Sequence, residues 1–233
     1  MIAAVLFDLD ETLLNRTDSL RAFLEDQYDR FATSLGDVRF ETWRDLFLAL
    51  DARGSVSKAV VYPAILSGFG GEDDAADMLL SDYREGFCRH ARAFPGMNET
   101  LTSLRARGFK IGLVTNGETA FQTRSIEALG LHRMADAILI SEREGLRKPE
   151  RALFIRAADR LGVSPAACLF VGDNPVADIL GAHAAGMRTA WFGRDAAWPT
   201  HLEPCGATIG DLRDVLGLLA SPASAVPHAS RIE

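Results

Sequence analysis

Cysteine is scarce in this 233-residue chain, and the three that occur, Cys88, Cys168 and Cys205, lie far apart. An odd, scattered set with no Cys-x-x-Cys pair supports neither a disulfide framework nor a zinc site. Cys168 falls inside an apolar run and is expected to be a small core residue. Positive charge is not in surplus either. With 25 Lys and Arg against 32 Asp and Glu, the formal net charge is −7 and the pI about 5.3. Neither nucleic acid nor an anionic membrane is therefore an expected partner. No apolar run approaches the length that spans a bilayer. Met1 to Phe7 has no basic flank and its apolar run breaks at Asp8. No secretion signal is expected, and a cytoplasmic location is. No internal repeat is visible.

What is present is material for a core. Hydrophobic residues make up 48% of the chain and charged residues 24%, as in soluble globular proteins. The length is long for one domain and short for two, which fits a core carrying a sizeable insertion. The chain opens with an unbroken apolar run, Ile2 to Phe7, as expected of a strand buried on both faces. The run ends in Asp8 and Asp10. Strand side chains repeat every second residue, so both acids can point into the same space beyond the sheet edge. Two such charges 4 Å apart repel by about 4 kcal/mol at an effective dielectric near 20. A bound cation, a shared proton or unlike roles for the two acids would justify the pair.

From about Thr17 to Phe94 the sequence reads as helices. Leu20, Phe23, Leu24, Gln27, Tyr28 and Phe31 recur at helical spacing, with Gly36 as a possible end, and Phe40, Trp43, Leu46, Phe47 and Leu50 continue the pattern. Val56 to Leu66 and Ala75 to Phe87 read as two more helices, and the Pro95-Gly96 turn closes the insertion. The aromatics Phe23, Tyr28, Phe31, Trp43 and Phe47 are expected to be its core rather than a stacking platform. Beyond Asn98, helices ending at Gly108, Gly130, Gly162 and Gly186 alternate with strands at 110–114, 137–140, 168–171 and 189–192, with an edge strand at 207–209 and a last helix at 212–219. Strict alternation predicts right-handed crossovers and a parallel sheet covered on both faces.

Ligands of such sheets bind beyond the carboxyl ends of the strands, where strand order reverses. Those ends carry Asp8-Leu9-Asp10, Thr115-Asn116-Gly117, Ser141-Glu142 and Gly172-Asp173-Asn174. A hydroxyl and successive N–H groups at Thr115-Asn116-Gly117 would suit a phosphate oxygen, or an ordinary turn. Asp173, with Asp178 in the next helix, adds negative charge that a hard cation would offset; oxygen ligands alone favour Mg²⁺ over zinc. Lys148, before a helix opened by Pro149, would offset that charge if aimed inward. Arg147 is the competitor and is expected to face solvent.

Taken in order, these stretches resemble the motifs of the haloacid dehalogenase (HAD) superfamily. Asp8-Leu9-Asp10-Glu11-Thr12 resembles the first motif, Thr115-Asn116 the second, Lys148-Pro149 the third, and Gly172-Asp173 with Asp178 the fourth. Ile179 to Met187 is similar to the helix that follows the fourth motif, and the helical insertion to the family's C1-type cap. The resemblance implies an α/β fold: a Rossmann-like HAD core with a parallel sheet, residues 1–14 and 95–220, an inserted α-helical C1 cap, residues 15–94, and a flexible tail, residues 221–233. It implies a Mg²⁺-dependent phosphatase, similar to pyrimidine 5′-nucleotidases and sugar-phosphate phosphatases, acting on a small phosphorylated metabolite. By that resemblance Asp8 would be the nucleophile and Asp10 the general acid and base. Asp8, Asp10 through its backbone carbonyl, and Asp173 would hold the metal, with Asp178 in support. Thr115, Asn116 and Lys148 would bind the phosphoryl group. A monomer or homodimer is expected.

Haloacid dehalogenases do not have an acid two residues after the nucleophile, because halide leaves unprotonated; Asp10 therefore argues for phosphate esters. Glu11 departs from the Gly, Asp or Asn common at that place and is expected to be a solvent-facing loop acid. A phosphosugar mutase and a catalytically silent regulatory module remain as alternatives, along with the dehalogenase. In the insertion, Arg53 and Lys58 flank a Gly54-Ser55 break and are candidates for a polar or anionic end of the substrate.

Overall fold

Among the described residues, six apolar runs pair as one parallel sheet: β1 (Ala4–Phe7), β2 (Lys110–Thr115), β3 (Ala137–Ile140), β4 (Cys168–Gly172), β5 (Arg188–Phe192) and β6 (Ala207–Ile209), in the spatial order β3-β2-β1-β4-β5-β6. The architecture is that of a computed structural model, which describes residues 1–35, 38–69, 73–194, 196–204 and 206–220. Cys205 and the segment 221–233, expected above to be a tail, lie outside the described residues, as does Gly36.

Strands β1 to β4 each alternate between two cores. Val5 and Phe7 of β1, Ile111 and Leu113 of β2, and Leu169 and Val171 of β4 face one side, while Ala4, Leu6, Val114, Cys168 and Phe170 face the other. The continuous apolar runs of the sequence follow directly from this, since neither face meets water. Helices α5 (Met97–Ala106), α6 (Thr119–Ala128), α7 (Ser141–Glu144), α8 (Arg151–Arg160), α9 (Gly181–Ala184) and α10 (Asp214–Ala220) connect or follow the strands. Cys168 is a buried core residue, and burial pushes its thiol up to about 11. Strand β1 lies between β2 and β4, so the chain leaves it to one side and returns on the other. That reversal opens a crevice above the carboxyl end of β1.

Between β1 and α5 run the α-helices α1 (Arg16–Phe31), α2 (Phe40–Asp51), α3 (Lys58–Ser67) and α4 (Asp73–Gly86). Phe23, Trp43 and Phe47 are buried among them with Tyr62 and Phe87, and Tyr28 donates its hydroxyl to the Val38 carbonyl at 2.7 Å. These aromatics are core, as their helical spacing predicts. The chain enters and leaves this segment through two crossings side by side: Asn15 N–H donates to the Arg92 carbonyl at 2.8 Å and Phe94 N–H to that of Leu13 at 2.9 Å. Among the described residues, no helix is long and apolar enough to cross a membrane.

Two local features differ from the reading of the sequence. Helix α1 stops at Phe31, short of Gly36, and passes into a 3₁₀ turn. The helix after β4 starts at Pro175 rather than Ile179, and its first six residues are π-wound. Asn174 caps it by accepting from the N–H groups of Val176 and Ala177 at 3.0 and 2.9 Å.

Candidate active site

The carboxyl ends of β1, β2 and β4 and the loop before α8 converge on one open cavity of about 1030 Å³, roofed by residues from the helical segment. At its floor lies Asp8, 5% exposed, one step past β1. Lys148 reaches in from its loop and donates to Asp8 Oδ1 at 2.5 Å and to Asp178 Oδ1 at 2.6 Å. The other oxygen of Asp178 accepts from the Asn174 N–H at 2.9 Å. Asp178 can occupy this place only because β4 ends in glycine: a Cβ on Gly172 would overlap its carboxylate. Asp173 projects beside the pair, its backbone carbonyl fixed by the Trp191 indole N–H at 2.7 Å.

The electrostatics of this floor are unbalanced. Burial pushes the Asp8 carboxyl well up, and the charges of Asp178 and Asp173 add to that, against the pull of Lys148. Asp173 is pushed up to about 7, by burial first and by Asp178 next. Burial works against the Lys148 ammonium, but Asp178 and Asp8 more than offset it and hold its pKa above the usual range. Three carboxylates thus share one buried cation.

Asp8, Asp173 and Asp178 each bring a ligand atom to within 4.8 Å of one another. The set is all oxygen and carries surplus negative charge, which suits a hard divalent cation such as Mg²⁺. The donor set therefore fits the metal that the sequence motifs imply.

Asp10 faces a different environment. Its Oδ2 accepts from the Gln122 amide at 2.8 Å, whereas its Oδ1 is buried with no partner among the described residues. Burial raises its pKa, against the opposing pull of Arg16 and the Gln122 N–H. The two acids of the first motif are thus held apart in role: one on a lysine, the other on an amide.

Asn116 uses its side chain to tie two loops. Its Nδ2 donates to the Lys148 carbonyl at 3.0 Å and its Oδ1 accepts from the Lys148 N–H at 2.9 Å. Thr115 is buried on the cavity wall. Arg147 is exposed, as expected. In the roof, Lys58 is buried against Asp51 and donates to the Val56 carbonyl at 2.8 Å. Arg53 is largely exposed and its guanidinium lies 3.3 Å from Asp173 Oδ2, bridging roof and floor.

Glu11 is not the solvent-facing acid the sequence suggests. It is 6% exposed. Its Oε1 accepts from the Thr17 N–H at 2.7 Å and hydroxyl at 2.6 Å, and its Oε2 meets Arg194 at 3.2 Å. The Arg194 guanidinium lies over the rings of Phe94 and Phe192, 4.9 and 5.8 Å from their centroids. The acid therefore caps the first turn of α1 and latches both chain crossings to the sheet. Gln122 and Arg16, both cavity residues, were also missed: each looks like an ordinary helical polar residue in the sequence.

The family model of the haloacid dehalogenase-like hydrolases matches residues 2–186. The chain belongs to that family. It is 34% identical over 201 residues to a glyceraldehyde 3-phosphate phosphatase of Methanopyrus kandleri, covering 81% of this chain and 83% of the relative. With a phosphoserine phosphatase of Thermus thermophilus the identity is 30% over 244 residues, covering 91% and 96%. Among solved structures, the HAD hydrolase YfnB of Bacillus subtilis, bound to magnesium, superposes with a TM-score of 0.77 at 24% identity, over 94% of this chain and 99% of that one. A 2-haloacid dehalogenase of Pseudomonas syringae gives 0.65 at 31% identity, over 94% and 99%. The parallel sheet, with its helices, is the fold of these HAD proteins.

Proposed function

We propose that this HAD-like hydrolase is a Mg²⁺-dependent phosphatase that hydrolyses a small phosphorylated metabolite through an aspartyl-phosphate at Asp8. The observation that carries the reading is the division of labour between two acids, the buried Asp8 paired with Lys148 and the half-buried Asp10 with a partner-free oxygen, in the same cavity. The names of the relatives, which act on glyceraldehyde 3-phosphate and phosphoserine, support the substrate class.

In this mechanism Asp8 attacks phosphorus while Asp10 protonates the departing alcohol oxygen. A water then attacks the aspartyl-phosphate, Asp10 takes its proton, and inorganic phosphate and free Asp8 are restored. Thr115, the Asn116 backbone and Lys148 hold the phosphoryl oxygens. Asp8, Asp10 through its backbone carbonyl, and Asp173 would hold Mg²⁺, with Asp178 in support. When bound there, the metal supplies charge neutralisation between the anionic nucleophile and the phosphate dianion.

We read residues 15–94 as a cap over the core of residues 1–14 and 95–220, with water exclusion as its task. Arg53 and Lys58, both lining the cavity, would meet the end of the substrate remote from phosphorus. A dehalogenase, the activity named for the Pseudomonas syringae neighbour, has no use for Asp10, because halide leaves without a proton.

The test is phosphate release from p-nitrophenyl phosphate and a panel of phosphorylated metabolites, with and without EDTA. Turnover is expected with Mg²⁺, abolished by EDTA, and abolished by Asp8→Asn with the fold retained. Substantial activity of Asp8→Asn rejects Asp8 as the nucleophile.

A further inference from the structure

One buried polar side chain of the cavity has no part in the mechanism above. Gln122, on α6, is 3% exposed, and both amide hydrogens are committed: Nε2 donates to Asp10 Oδ2 at 2.8 Å and to the Asn116 carbonyl at 3.0 Å. Turning the amide over would set its oxygen against two acceptors, so the orientation is fixed by its surroundings. The amide also needs its neighbour to be glycine. A Cβ on Gly117 would stand 2.7 Å from Gln122 Nε2 and 2.9 Å from its Cγ.

With Oδ2 of Asp10 held by the amide, Oδ1 is buried without a partner among the described residues, and Asp10 itself lines the cavity. We propose that Gln122 is a positioning residue: its N–H fixes the Asp10 carboxyl in the orientation from which it exchanges the proton with the leaving oxygen. In the first half-reaction that proton passes from the Asp10 carboxyl to the ester oxygen. The P–O electron pair leaves with that oxygen, and the bond from Asp8 to phosphorus forms. In the second half-reaction the Asp10 carboxylate takes a proton from the attacking water as the Asp8–phosphoryl bond breaks. The inference rests on the phosphatase reading and adds the residue that orients the acid.

The test compares single-turnover alcohol release from an alkyl phosphate and from p-nitrophenyl phosphate in wild type and Gln122→Met, which keeps the volume but has no donor. Nitrophenolate leaves with little protonic help, whereas an alkoxide needs it. The loss for the alkyl ester is therefore expected to exceed that for the nitrophenyl ester by about tenfold or more, part of what a general acid contributes. Gly117→Ala, which pushes the amide off its seat, is expected to give the same skew and carries the comparison if Gln122→Met does not fold. Equal losses on the two esters, or no loss, in a folded variant overturn the positioning role alone. A wild-type enzyme that releases phosphate from neither ester overturns the phosphatase reading instead.

Discussion

Glu11 occupies the left-handed region, with φ 60°, which costs a side-chain-bearing residue about 1 kcal/mol or more. Its carboxylate offsets that cost by satisfying the Thr17 N–H at the start of α1 and by pairing with Arg194. A cap of this kind contributes about 1 kcal/mol. The two terms are of similar size, so replacement should depend on what happens to the backbone. Glu11→Ala loses the cap and keeps the strain, whereas Glu11→Gly loses the cap and sheds the strain. Thermal denaturation should therefore find Glu11→Ala less stable than Glu11→Gly by about 1 kcal/mol; the reverse order would show that the backbone strain is not what sets the difference.

At the scale of elements, the roof of the cavity is organised around one buried acid. Asp51 accepts from both terminal guanidinium nitrogens of Arg16 at 2.9 Å and pairs with Lys58 on the same carboxylate, joining the ends of α1, α2 and α3. Burial alone would raise its pKa, but hydrogen bonds and charge from Arg16, then Lys58, hold it below the usual carboxylate range. A depressed pKa means that the unfolded chain binds the proton more readily. The stabilisation is thus present above the unfolded value near 3.9 and is lost as pH falls through the lower folded value. Asp51→Asn should remove this component and leave two buried cations without their anion, at a cost of about 3 kcal/mol. Melting curves from pH 2 to 6 should show a steeper acid loss for wild type than for Asp51→Asn. Parallel curves would assign the acid sensitivity to other carboxylates.

The same scale separates what was legible in the sequence from what was not. Strand runs such as Ile2 to Phe7, and the glycines that end helices, write their periods locally. The sheet and its four polar strand ends could therefore be read directly. Asp51 with Arg16, and Gln122 with Asp10, are partners 35 and 112 residues apart, brought together only by the fold. Glu11 misled because a turn acid normally points to water; its burial depends on Arg194, which arrives from beyond β5. The π-wound turn at Pro175–Leu180 left no trace in hydrophobic spacing.

At the scale of the whole molecule, charge gathers at neighbouring strand tips. Without metal, Asp8, Asp173 and Asp178 repel, so Mg²⁺ should raise the melting temperature of wild type, by about 2.7 kcal/mol of stability at a hundredfold excess over Kd. Asp173→Asn should lose most of that shift while being no less stable than wild type in EDTA, because it relieves the repulsion. An undiminished shift would place the metal elsewhere. The most direct measurement of the central claim is acid quench of the Mg²⁺-loaded enzyme during turnover, followed by digestion and mass mapping of the phosphoryl group. It is expected on the peptide containing Asp8, absent in Asp8→Asn and absent with EDTA. A phosphoryl group on another residue, or turnover with none trapped under conditions that slow the second half-reaction, would contradict it.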